Sequence, residues 1–214
     1  MIDWTRPVDI YCERLGPGLW AEPVNALTNL AFLAAALWAW RYAAKRDCLD
    51  FTIATLIALV AAVGVGSFLF HTVATAWAGL ADVLPIWAFT ATAIVVALRR
   101  FFGIRPAAAI LGIVAAVALT VPLARALPSF SGTLSYLPAL LALAGIATAL
   151  YSTCQPAWRP IATAAVLLAL SLAFRTADGT ACAAIPLGTH FLWHLLNGMV
   201  LALVTKGIVD ARKT

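Results

Sequence analysis

The chain has 214 residues, of which 64% are hydrophobic and only 11% are charged. A soluble domain of this length carries about a quarter charged residues, so the composition excludes an ordinary soluble protein and predicts one polytopic membrane domain. The net charge of +5 does not indicate a nucleic-acid partner, because no basic helix with interleaved aromatic residues occurs.

Residues 1–22 form a polar segment of mixed charge. This segment lacks the basic start, the short apolar core and the small-residue cleavage site of a secretory signal. We therefore expect an extracytoplasmic segment over 1–22 and a first apolar helix that remains as an anchor.

Apolar windows between charged residues predict an all-α fold with seven transmembrane helices. The window between Asp50 and Asp82 is long enough for one helix and a short re-entrant segment. In chain order the helices are predicted at 23–40, within 50–82, at 83–98, at 106–124, within 126–158 after the turn residues LPSFSG, at 160–174 and at 187–205. The seven-helix domain is expected to cover 23–206, with a cytoplasmic tail over 207–214.

The basic residues indicate the orientation, because cytoplasmic loops carry an excess of lysine and arginine. With the N-terminus outside, ten of the 14 basic residues fall on the inner side: Arg41, Lys45, Arg46, Arg99, Arg100, Arg105, Arg159, Lys206, Arg212 and Lys213. The outer side holds Arg6, Arg14, Arg125 and Arg175. We therefore predict an outer N-terminus and a cytoplasmic C-terminus.

The four cysteines divide between the two sides of this topology. Cys12 and Cys182 face outward, whereas Cys48 and Cys154 lie in inner loops where thiols stay reduced. We predict a disulfide between Cys12 and Cys182, which would tie the N-terminal segment to the loop before the last helix. The alternative is that all four are ordinary free cysteines.

Ionisable residues interrupt the apolar pattern at three places. GSFLFH contains Ser67 and His71, Asp82 follows, and HFLWH contains His190 and His194. The i, i+4 spacing of the last two histidines stacks both imidazoles on one helix face, a common arrangement for holding a metal. On the predicted topology these residues all lie in the outer portion of the membrane, where ionisable groups mark function by default.

A catalytic zinc takes three protein ligands, often histidine nitrogens, and keeps one position open. The chain contains three histidines, so we favour zinc. A Ser–His–Asp hydrolase made of Ser67, His71 and Asp82 would leave the other two histidines idle, and no GxSxG elbow occurs. Each residue also has a structural explanation, such as Asp82 as a helix N-cap. Outside enzymes, the alternatives are a lipid receptor with structural zinc and, less favoured, a proton-coupled transporter.

These motifs resemble the alkaline ceramidases, members of a superfamily of seven-helix membrane hydrolases that also includes the adiponectin receptors. SFLFH, Asp82 and HFLWH are similar to the S-x-x-x-H, D and H-x-x-x-H motifs of that family. DIYCERLGPGLWAEPVNALTNLAFL looks like the acidic, cysteine-containing opening of the family. RTADGTAC resembles its Arg–Asp–Cys loop before the last helix.

The resemblance implies that zinc is held by His71, His190 and His194. It implies that Asp82 acts on a metal-activated water and that Ser67 helps to stabilise the oxyanion. The implied reaction is hydrolysis of a ceramide-like membrane lipid amide to a sphingoid base and a fatty acid. The compact chain suggests a bacterial inner-membrane protein with its site toward the periplasm. In that case a lipid amide or ester other than ceramide is an alternative substrate.

The resemblance also implies a calcium site in the acidic N-terminal segment, with Asp9, Glu13 and Glu22 as candidate ligands. The sequence departs from the family pattern here: the spacing around Asp9 is shifted, Tyr11 replaces a tryptophan and Leu15 replaces an asparagine. Calcium needs several oxygen ligands. The alternative is a solvated acidic segment.

Overall fold

A computed structural model describes residues 3–127 and 130–211, and this part of the chain contains helices and no strand. The helices are α1 (Pro23–Thr28), α2 (Leu30–Ala44), α3 (Phe51–Val73), α4 (Ala76–Phe102), α5 (Pro106–Ala126), α6 (Ser131–Leu134), α7 (Leu137–Ser152), α8 (Trp158–Ala181) and α9 (His190–Asp210).

Seven helical segments are long and apolar enough to cross a membrane, which confirms the predicted number. They are Pro23–Ala44, Phe51–Val73, Ala76–Phe102, Pro106–Ala126, Gly132–Ser152, Trp158–Ala181 and His190–Asp210. The first span joins α1 and α2 end to end, and α6 leads into the fifth.

The predicted re-entrant segment before Asp82 is wrong. Residues 76–82 are the first two turns of α4, and the residue at the N-cap is Thr75. Asp82 therefore lies inside a membrane-spanning helix and does not cap one. The helix continues through this charged residue because the side chain faces a polar neighbour on α3, described below, rather than lipid.

The segment RTADGTAC is helical, whereas the sequence analysis placed it in a loop. Helix α8 continues to Ala181, and Cys182 is its C-cap. Arg175 and Asp178 therefore project from the last two turns of a spanning helix. The sequence predicted that the helix ends before these two charged residues. Each has a hydrogen-bond partner inside the protein, Tyr11 for Arg175 and the backbone of His190 for Asp178.

Helix α9 occupies the middle of the bundle and contacts α2, α3, α4 and α8. The apolar core runs along it and includes Val200, Val204 and Ile208, all of them buried. Helix α5, in contrast, is mostly exposed and buries only Ala109. Helix α9, which carries two of the three histidines, is thus the most buried of the spanning helices, and α5 is the least buried.

Helices α3 and α4 touch through their backbones near the Ser67 and Asp82 positions. A Cβ atom added to Gly66 would lie 2.0 Å from the carbonyl oxygen of Ala81. Only glycine fits this contact, because real Cβ atoms do not approach a backbone oxygen so closely. The contact places the residues that follow, Ser67 and Asp82, on facing helix surfaces.

Ion pairs cluster at the opposite end of the bundle, where α2, α4 and α9 end. Arg100 donates to Asp50 at 3.1 Å, and Tyr42 donates to Asp210 at 2.6 Å. Two of the basic residues assigned to the inner side by sequence, Arg212 and Lys213, lie outside the described residues, as do the last residues of the predicted tail.

Candidate functional site

The three histidines converge at one end of the bundle. His71 comes from the last turn of α3, while His190 and His194 come from the first turns of α9. One ring nitrogen from each lies within 4.8 Å of the other two. All three side chains are buried, with exposed fractions of 0–1%. Two sequence-distant helices therefore bring together the predicted ligand set.

Three ring nitrogens of this cluster have no hydrogen-bond partner: Nε2 of His71, Nδ1 of His190 and Nε2 of His194. Burying a polar atom without a partner costs free energy, so native proteins pair such atoms with a bond, a water or an ion. A shared metal ion would satisfy all three nitrogens together. Imidazole ligands suit zinc, and also iron, copper and nickel.

The second nitrogen of His71 binds Glu22. Nδ1 of His71 lies 2.6 Å from Oε2 of Glu22, whose Oε1 accepts from Nε of Arg14 at 2.5 Å. Burial alone would raise the pKa of the Glu22 carboxyl, but the bonds from His71 and Arg14 outweigh it and lower that pKa. The ionised carboxylate only accepts, so Nδ1 carries the hydrogen and the Nε2 lone pair faces the cluster.

His194 is oriented in the same way by Thr28 of α1. Its Nδ1 lies 2.9 Å from the Thr28 hydroxyl, which itself donates to the carbonyl of Val24 at 2.8 Å. Because the hydroxyl hydrogen is already used, the hydroxyl accepts from His194. This assignment again leaves Nε2 free for a ligand.

His190 is fixed by Asp178 and Tyr11. Oδ1 of Asp178 accepts from the backbone N–H groups of Thr189 and His190 at 2.7 and 2.9 Å, so it caps α9 from a neighbouring helix. The ring of Tyr11 stacks on the His190 imidazole, with centroids 3.6 Å apart. Burial raises the pKa of Tyr11 to about 12, so its phenol remains protonated at neutral pH.

The N-terminal segment covers the cluster. Its backbone pairs with the connection between α3 and α4, through Val8 N–H to the Ala74 carbonyl at 2.8 Å and Ala76 N–H to the Arg6 carbonyl at 3.0 Å. Cys12 donates its backbone N–H to Asp178 at 3.1 Å. Tyr11 is therefore held over the histidines from two sides.

The predicted disulfide is present. The sulfur atoms of Cys12 and Cys182 are 1.96 Å apart and join residues that are 170 positions apart in sequence. Neither Cys48 nor Cys154 takes part in a disulfide. The bridge fastens the N-terminal segment to the end of α8, directly after the residues that cap α9.

Asp82 and Ser67 face each other beside the cluster. The Ser67 hydroxyl is placed to hydrogen-bond the Asp82 carboxylate, and Asp82 is close enough to His71 for electrostatic interaction. Oδ1 of Asp82 is buried and has no partner. Asp82 does not bind the Nδ1 of His71, which is occupied by Glu22, so the Ser–His–Asp hydrogen-bond relay considered above is not formed.

The three candidate calcium ligands are spread over different environments. Asp9 is exposed. Glu13 accepts from the backbone N–H groups of Val24 and Asn25 at 2.6 and 2.8 Å and so caps α1. Both carboxylate oxygens of Glu22 are used by its partners described above. Calcium stays a prediction.

Arg175 was missed as a site residue by the sequence reasoning. It donates to the Tyr11 hydroxyl at 3.0 Å and lies near the rings of Tyr136 and Trp193. No carboxylate of the described residues forms an ion pair with it. It is close enough to Asp82, His190 and His194 for electrostatic interaction. The available signal was an arginine directly after the predicted apolar window at 160–174, close enough to the membrane to need a partner.

The fold and the cluster define a class of protein: a seven-helix membrane protein with a buried three-histidine group that fits a metal ion. Comparison with known families narrows this class. The family model described as Ceramidase matches residues 15–210, so the chain belongs to the ceramidase family. No curated protein matches it.

Proposed function

We propose that the protein is a zinc-dependent intramembrane lipid amide hydrolase, which cleaves ceramide or a related lipid amide to a sphingoid base and a free fatty acid. Family membership supports the reaction class, since a ceramidase hydrolyses an amide. The observation that carries the metal is the convergence of three buried histidines, which bring one ring nitrogen each to within 4.8 Å of the others; each histidine also has one ring nitrogen without a hydrogen-bond partner.

His71, His190 and His194 would hold the ion. When bound, zinc supplies Lewis-acid chemistry: it lowers the pKa of water to about 7 and polarises a carbonyl. The contacts with Glu22, Thr28 and Asp178 keep the three histidines in place. The side chains therefore need little reorganisation when the metal binds.

Asp82 is the proton carrier of the reaction. Its Oδ1 is buried and unpartnered at the edge of the cluster, so it can accept a proton from the attacking water and later deliver it to the leaving nitrogen. In the free protein the Ser67 hydroxyl lies close enough to interact with the Asp82 carboxylate. When the substrate is bound, the Ser67 hydroxyl donates its single hydrogen to the oxyanion instead.

Arg175 supplies a fixed positive charge. Its guanidinium is held by Tyr11 and has electrostatic contact with Asp82. Negative charge develops on the carbonyl oxygen during attack, and a preorganised cation in a water-poor site stabilises such charge strongly. Arg175 therefore favours the transition state over the neutral amide.

We further propose that the N-terminus is outside and that the protein belongs to a bacterial inner membrane, with its site toward the periplasm. The disulfide supports this orientation because such bonds persist in the periplasm and are rare in the cytosol. Cys154, one of the two cysteines that the topology places in inner loops, forms no disulfide, as this orientation requires.

A hydrolysis screen tests the reaction. Purified protein is incubated with ceramides and other lipid amides, with and without a chelator, and the released fatty acid is measured. We expect turnover of at least one lipid amide, loss of turnover with chelator and recovery on addition of zinc. The Asp82→Asn variant should keep the metal and lose turnover, while His71→Ala should lose both.

Bound zinc and bound lipid with no turnover of any amide would contradict the hydrolase and leave the receptor alternative. Flux of ions in proteoliposomes without stoichiometric metal would instead favour a transporter.

A further inference from the structure

A large cavity lies between α4, α5 and α7. Its volume is about 520 Å³, and its lining is almost entirely apolar. The lining residues with polar side-chain atoms are Trp87, Thr90, Ser135 and Tyr136. Tyr136 contacts Trp193, the residue before His194, with ring centroids 4.9 Å apart. Tyr136 thus brings one side of the cavity close to the histidine-bearing end of α9, and the rest of the lining continues into the hydrocarbon region of the bundle.

The face of α4 that carries Asp82 also forms one wall of this cavity. Ile86, Thr90, Ile94 and Leu98 line it, and each follows the previous one by four residues, with Ile86 four residues after Asp82. Residues at this spacing share one helix face. At 1.5 Å of rise per residue, the row reaches about 24 Å below Asp82. A linear chain attached to a group at Asp82 would follow this row.

Two glycines line the opposite walls at similar depth. Gly112 is in the second turn of α5, and Gly145 is in the second-last turn of α7. These positions lie about 9 and 10 Å from the same end of the bundle, since α5 begins there and α7 ends there. The two residues face the far half of the cavity, away from the histidines.

Neither glycine is required for helix packing. A Cβ atom added to Gly112 or Gly145 would meet no atom within 4 Å, unlike the one added to Gly66. Glycine destabilises a helix relative to alanine, and here the cost is not offset by a close backbone contact. What both glycines have in common is the open space of the cavity beside them.

We propose that this cavity holds the acyl chain of the lipid substrate and that Gly112 and Gly145 set the longest chain it accepts. The proposal rests on the proposed function, because it assumes that the amide carbonyl is bound beside Asp82. A side chain at either position would occupy the space where the distal methylene groups of a long chain lie. The proximal methylene groups, beside Ile86 and Thr90, would be unaffected.

The test compares Gly112→Leu and Gly145→Leu with the wild type on two ceramides that share a headgroup and carry octanoyl or stearoyl chains. Leucine favours the helix over glycine, so both variants should fold. The matched controls are Ala118→Leu on α5 and Ala144→Leu on α7, both exposed and outside the cavity lining.

We expect the ratio of kcat/KM for stearoyl over octanoyl substrate to fall about tenfold in each glycine variant, the effect of excluding about two methylene groups. The control variants should keep the wild-type ratio. An unchanged ratio in both glycine variants, or an equal loss on both substrates, overturns the proposal.

Native mass spectrometry of stearate and octanoate bound to the same four variants separates this proposal from the proposed function. Selective loss of stearate binding by the glycine variants, in a protein that hydrolyses no amide, contradicts the hydrolase but supports the chain-length role. If the wild type hydrolyses lipid amides but the glycine variants keep its chain-length preference, the hydrolase is supported and the chain-length role is contradicted.

Discussion

Replacement of Glu22 by glutamine tests two roles of this residue, one in metal affinity and one in the stability of the fold. The Glu22 carboxylate accepts from Nδ1 of His71 at 2.6 Å and from Arg14 at 2.5 Å, and both partners are buried. Glutamine keeps the shape and removes the charge. Two different losses should follow, one in the affinity for metal and one in stability.

The metal loss follows from the role of Glu22 as the hydrogen-bond acceptor of a ligand. Substitution of such a partner typically lowers metal affinity by about 10- to 100-fold. The stability loss follows from Arg14, whose side chain is 4% exposed. Leaving a buried charge unpaired costs about 3–5 kcal/mol.

The assay measures zinc affinity by competition with a chelator and the free energy of unfolding of the metal-free protein in detergent. A double variant, Arg14→Gln with Glu22→Gln, removes both charges. It should regain much of the stability while its zinc affinity stays as low as that of Glu22→Gln. If Glu22→Gln binds zinc with wild-type affinity, then the inferred orientation of His71 is wrong.

Three further predictions concern the neighbouring structure. Replacement of Cys12 and Cys182 by serine should lower the free energy of unfolding by about 2–5 kcal/mol, measured by denaturation against the wild type under non-reducing conditions; equal stability would contradict a structural role of the bridge. Gly66→Ala forces a Cβ atom against the carbonyl of Ala81, so we expect the free energy of unfolding to fall by about 1–3 kcal/mol. Turnover should fall while the metal content is retained. Unchanged turnover would show that the close approach of α3 and α4 is not needed. Arg175→Gln should lower kcat by a factor of about 10²–10³ without loss of metal, because this is the typical effect of removing one stabilising group from an oxyanion site. A change in KM alone would count against a role in the transition state.

The number of spans and the convergence of the three histidines could be predicted from the sequence because both depend on local pattern. Apolar windows of about 20 residues identify spanning helices directly. The i, i+4 spacing of His190 and His194 places them on one face, and the alternation of helix directions brings His71 to the same side. The pairing of Cys12 with Cys182 followed from the same topology.

The helix boundaries at charged residues could not be predicted in this way. Asp82, Arg175 and Asp178 were read as helix ends, because a charge in lipid is costly. Arg175 and Asp178 lie within a helix because partners from distant parts of the chain reduce that cost, such as Tyr11 for Arg175. Such partners depend on tertiary packing, which a single sequence does not display.

The contacts that orient the histidines were missed for the same reason. The family resemblance made Glu22 a candidate calcium ligand and gave no sign of its contact with His71, which is 49 residues away. Thr28 and Tyr11 carried no signal in sequence, since a threonine in a helix and a tyrosine near a terminus are ordinary. Their roles depend on how the N-terminal segment folds over the bundle.

Elemental analysis of the purified protein tests the central claim most directly, because everything proposed for the chemistry requires one ion shared by His71, His190 and His194. The account predicts one equivalent of zinc per chain in the wild type and none in the variant with all three histidines replaced by alanine. A wild-type protein that hydrolyses lipid amides at full rate without any bound metal would contradict it.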